Sequence, residues 1–94
     1  MNVALLRIDF RLSGCRSLKE KRQRLKGIRD RYGRAANVAV CESDHQDVLQ
    51  SAQWSFVAAA SSADVVEQTL GEIERNLQMG VDAELVDVWR EWLV

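Results

Sequence analysis

Two stretches of this chain alternate, residue by residue, between apolar and polar side chains, and that alternation leaves few folds open. From Val3 to Leu12, Ala4, Leu6, Ile8, Phe10 and Leu12 share one side of an extended backbone, while Arg7, Asp9 and Arg11 share the other. From Ser51 to Ser61, Ala52, Trp54, Phe56, Ala58 and Ala60 line a second such side. Successive side chains of a strand point to opposite faces, so each stretch reads as a strand with one dry and one wet face. A sheet built on such strands needs covering on one side only, which suits antiparallel pairing.

The cover comes from two amphipathic segments. Ser13-Gly14 breaks the first strand, and Ser17 followed by Glu20 has the form of a capping box at a helix start. The 3.6-residue spacing predicts one helix from about Leu18 to Tyr32, stopped by Gly33. Asn37 to Ser43 reads as a second strand with Val38 and Val40 inward, and Asp44 to Gln50 as a rather long hairpin connection. Ser61 to Asp64 offers another helix start, followed by the stripe Val66, Thr69, Leu70, Ile73 and Leu77 and an end at Gly80. Val81 to about Leu93 is a last strand that is apolar on both sides, with Leu85 and Trp89 opposing Val86 and Val88.

The resulting order is β-α-β-β-α-β. Right-handed crossovers make it an α+β, ferredoxin-like sandwich, a four-stranded antiparallel sheet with two helices on one face and strands one and three central. At 94 residues, the chain is expected to form one domain over 1–94. No apolar run reaches the length of a membrane span, and Arg7 and Asp9 interrupt the first apolar stretch, so neither a membrane nor an export signal is expected. With only Cys15 and Cys41 as thiols, the default is the cytoplasm, and no metal site or cofactor is implied.

A net charge of −1 conceals a strong asymmetry. Residues 1–61 carry 11 basic and 6 acidic side chains, whereas residues 62–94 carry 2 and 8. Nine of the cations fall within 16–34, against only Glu20 and Asp30. Such segregation bears on association rather than on fold. On the first helix, Leu18, Leu25, Ile28 and Tyr32 form the buried arc. Lys19, Arg22, Lys26 and Arg29 lie along one flank of it and Arg24 and Arg31 along the other, with Gly27 opposite, in solvent. That surface suits phosphate-tracking without base readout. The alternatives are a solvated face, with Asp30 bridging Lys26 and Arg34, or compensation by Asp64, Glu67, Glu72 and Glu74 of the second helix. Lys21 falls inside the apolar arc. Snorkelling explains it best, with pairing to Glu42, Asp44 or Asp47 as the other option.

The single histidine, His45, sits with Gln46 and Asp47 in the hairpin loop. Turn capping by side-chain to backbone bonds is the first reading of this loop, a contact site the second, and general base chemistry with Lys21 the third. Trp54 and Phe56 faintly resemble the stacking aromatics of an RNA-recognition motif, but their parity with Ala52 and Ala58 puts them in the core. Trp89 and Trp92 cannot share a face of a regular strand, so one of them is expected at the surface, where it suits a homodimer contact.

The run Ser17-Leu18-Lys19-Glu20-Lys21-Arg22 after a strand and Gly14, with His45-Gln46-Asp47 ahead of the third strand, resembles the YlxP-like family of small bacterial proteins. The resemblance spans nearly the whole chain and departs from a common family pattern at Trp54 and Phe56. It implies a ferredoxin-like fold and no established activity. The family's genes tend to lie beside those for translation and ribosome-maturation factors, which implies an RNA-related role. The expectation is therefore a non-enzymatic module that meets RNA or a ribosomal particle through Lys19, Arg22, Lys26 and Arg29, with Arg24 and Arg31 secondary. The alternatives are a homo-oligomeric interaction module without nucleic-acid affinity, and a small enzyme using the His45 loop.

Overall fold

The computed structural model describes residues 1–94. The chain forms β1 (Asn2–Arg11), α1 (Leu18–Arg24), α2 (Ile28–Tyr32), β2 (Val38–Asp44), β3 (Ser51–Ala60), α3 (Ala63–Gly80) and β4 (Glu84–Trp92). It is an α+β fold with an open four-stranded sheet in the order β2-β3-β1-β4. Each neighbouring pair is antiparallel, and the two alternating strands occupy the centre. No helix is long and apolar enough to cross a membrane.

The dry faces meet as the alternation requires. Leu6 stands opposite Phe56, Ile8 opposite Trp54 and Phe10 opposite Ala52, and all six are buried. Val66, Leu70, Ile73 and Leu77 of α3 close over β1 and β3, while Leu25, Ile28 and Tyr32 cover the β2 side. Burying each large apolar side chain contributes about 1.5–3 kcal/mol, so this single layer supplies most of the drive to fold. Tyr32 meets Phe56 edge to face at 5.7 Å between ring centres. Both third-strand aromatics are thus core residues, and neither stands on the open face of the sheet.

The last strand explains its own ambiguity. Asp9 pairs with Asp87 but Phe10 with Leu85, so Val86 is an extra residue in a bulge. Beyond it Val88 and Trp92 stand opposite Ile8 and Ala4, on the helix side. Trp89 stands opposite Arg7 on the open face, with the guanidinium 5.8 Å from the indole centre. Both tryptophans remain about half exposed, at 50% and 47%.

The expectation of one continuous first helix fails. The segment Leu18–Tyr32 is two short helices, making three helices in all, because the backbone at Gly27 turns left-handed with φ of 93°. Leu25 already ends α1, its N–H reaching back to the carbonyls of Gln23 and Lys21. Gly27 therefore has a backbone role that helical periodicity could not show, since only glycine adopts this conformation without strain. At the start of α1 the cap is as expected, with the Glu20 N–H donating to Ser17 Oγ at 3.0 Å. The Glu20 carboxylate accepts from Arg16 N–H at 3.4 Å, one residue before the position a strict capping box would use.

Replacing Gly27 with Ala distinguishes the two arrangements by sign. A left-handed alanine should lower the unfolding free energy by about 1 kcal/mol. In a continuous helix the same change would raise it by a similar amount. Urea unfolding is expected to show a lower midpoint with an unchanged slope.

Candidate functional site

Lys21 is buried to 3% exposure, and snorkelling does not describe it. Its Nζ donates to the carbonyl oxygens of His45 at 2.6 Å and Val48 at 2.8 Å, with Gln46 O at 3.5 Å. The carboxylate of Glu42 lies 3.2 Å away. Glu42 Oε2 accepts no aligned hydrogen bond, so its tie to Lys21 is one of charge while the carbonyls take the N–H directions. A buried ammonium is tolerable when its protons and its charge are both satisfied, and here both are. The helix start offered water nearby, but three backbone acceptors and a carboxylate lie nearer.

This arrangement shapes the hairpin loop, residues 45–50. His45 is the one non-glycine residue with positive φ, at 63°, and its N–H donates to Asp44 Oδ1 at 2.8 Å. Gln46 Nε2 donates to Glu42 O at 3.1 Å, and Val48 N–H closes the turn on His45 O at 3.1 Å. The turn is therefore capped, but by Asp44, Gln46 and the distant Lys21 rather than by the side chains of Asp47 or His45. The His45 ring is exposed, with Nδ1 3.9 Å from Asp44 Oδ1. Lys21, Gln46 and Asp47 line one pocket, and His45 does not. No group of three His, Cys, Asp or Glu side chains is placed to hold a metal ion.

The cations divide cleanly. Arg24 is held within the molecule: Nε donates to Asp82 O at 2.8 Å, Nη1 donates to Ser13 O at 2.8 Å, and its charge meets Asp82 and Glu20 at 3.3 and 3.4 Å. It anchors α1 to the approach to β4, which removes it from the set of free cations. Lys19, Arg22, Lys26, Arg29 and Arg31 are exposed, and none has an acidic partner. The acids of α3 do not reach them; Glu74 pairs instead with Arg90 at 3.2 Å. Arg29 and Arg31 rest on aromatic faces, 5.6 Å from the Trp54 ring centre and 5.5 Å from that of Tyr32.

Around the Gly27 break some of these residues line an open pocket of about 330 Å³. Arg22, Arg29 and Asp30 form one side, Glu42, Gln46 and Asp47 another, and Trp54 contributes its indole from β3. Gln46 and Asp47 of the hairpin loop and Arg22 and Arg29 of the two helices, separate in sequence, line one pocket. Glu42 stands opposite Trp54 across β2 and β3, on the same side of the sheet. Nothing in the side-chain pattern marks the backbone carbonyls that hold Lys21, or the helix break at Gly27 that borders the pocket.

The sequence model of a family described as "Protein of unknown function (DUF503)" matches residues 3–90. No curated protein matches the chain.

Lys21→Met should destabilise the fold by about 3 kcal/mol, because it strands Glu42 and two loop carbonyls without a partner. Adding Glu42→Gln should recover part of that loss, and the non-additivity in urea unfolding measures their coupling. Amides of residues 45–50 are expected to lose hydrogen-exchange protection in the single variant.

Proposed function

The chain belongs to the DUF503 family of proteins of unknown function, and we propose, from the surface described above, that it is a non-enzymatic module binding RNA, free or in a ribosomal particle. One observation carries this reading: five cations, four on two consecutive short helices and Lys26 in the turn between them, stand exposed with no carboxylate to neutralise them. Each phosphate that meets such a cation releases condensed counterions, and the gain does not depend on sequence. Lys19, Arg22, Lys26, Arg29 and Arg31 are the contact residues; Arg24 serves stability. The strand order β2-β3-β1-β4 supports a ferredoxin-like assignment, and the motifs around Ser17 and His45 support grouping with the YlxP-like proteins. The translation-linked gene neighbourhood of that group favours the same partner, and a cytoplasmic location goes with it.

A second reading, homodimer formation through β4, is favoured by one feature. This edge strand and its continuation expose Val86, Val88, Trp89, Trp92 and Leu93 together. Sedimentation equilibrium at micromolar concentration should then give twice the chain mass, and a monomer mass contradicts it.

The RNA reading is tested by electrophoretic mobility with ribosomal RNA across a salt series. Lys26→Glu with Arg29→Glu should weaken binding at every salt concentration and make the log–log salt slope shallower by about 1.4, for two lost contacts. Retention equal to wild type contradicts the reading. Arg24→Gln is expected to lower the urea midpoint while leaving RNA retention unchanged.

A further inference from the structure

Resting on the RNA reading above, we propose that the pocket beside Gly27 receives one unpaired base of a single-stranded RNA, stacked on Trp54 in place of Arg29. The indole lines this pocket, and the Arg29 guanidinium lies over it at 5.6 Å from the ring centre. Arg29 makes no ion pair, so its contact with the ring is all that retains its charged end there. Base stacking on an aromatic ring is stronger than an exposed cation–π contact, and the exchange favours the base. The displaced guanidinium remains at the pocket rim beside Arg22, where a backbone phosphate needs it.

Trp54 is 7% exposed, and its Nε1 is buried with no hydrogen-bond partner. Its cross-strand neighbour Glu42 is held by the Lys21 ammonium, with Oε2 3.2 Å from Nζ. The indole N–H lies in the plane of the ring, so a base stacked on its face is held by stacking and not by hydrogen bonds from the indole edge. The pocket, at about 330 Å³, has the size of a small-ligand site. The helix side of the sheet thus does what the open face does in stacking platforms, with an arginine covering the ring until RNA arrives.

The test uses a 12-nucleotide oligouridylate and an abasic oligomer with the same backbone, at low salt. The protein carries Trp89→Phe and Trp92→Phe, leaving Trp54 as its single indole. Oligouridylate should quench the fluorescence and bind about tenfold more tightly than the abasic strand, which should not quench. Trp54→Leu should abolish that preference while keeping the abasic affinity. Should that variant not fold, the quenching contrast decides alone. Equal affinities without quenching overturn the pocket proposal and leave phosphate-tracking intact. If neither strand binds, both readings fall.

Discussion

The whole architecture answers to one constraint, the need to dry a single side of β1. Ala4, Leu6, Ile8 and Phe10 are all buried, while Arg7 and Asp9 between them remain partly exposed on the opposite face. A strand of that kind, placed centrally, forces its neighbours to present their own apolar parity to the same side, and forces every helix onto that side. Helices packed in one layer have outer surfaces with no further duty toward the core. Their charges are then free to serve association, and the sign of those charges differs sharply between the first two helices and the third.

That difference could have been neutralised internally. It is not, because α3 lies over β1 and β3 while α1 and α2 cover the β2 side, and the carboxylates of α3 make no ion pair with their cations. Where internal pairing does occur, at Arg24, it is local and structural: one guanidinium joins Ser13, Glu20 and Asp82. Exposed ion pairs contribute little to stability, so evolution of the remaining cations toward pairing would have gained the fold almost nothing.

Strand parity and helical stripes made the core readable in advance. Ala52, Trp54, Phe56 and Ala58 on one strand, and Val66, Leu70, Ile73 and Leu77 on one helix, follow from period alone. The parts that stayed hidden depend on atoms that side-chain patterns do not encode. Gly27 looks like a solvent-facing helix residue until its φ is known. Val86 looks like one side of a two-faced strand until the bulge assigns it no partner. Lys21 looks like a long side chain seeking water, because its true acceptors are the main-chain oxygens of residues 24 and 27 positions away. The same blindness applied to the pocket: Arg22 and Arg29 were visible one by one, but what they share with the hairpin loop depends on how the chain folds.

The Lys21 contacts bear on more than stability. A hairpin connection is ordinarily the most independent part of a sheet, yet this one is roped to the first turn of a helix by a side chain with no freedom left. Loop and helix must therefore order together or not at all. A guest entering the space between them meets walls already set in place, and little of its binding energy is spent on arranging them.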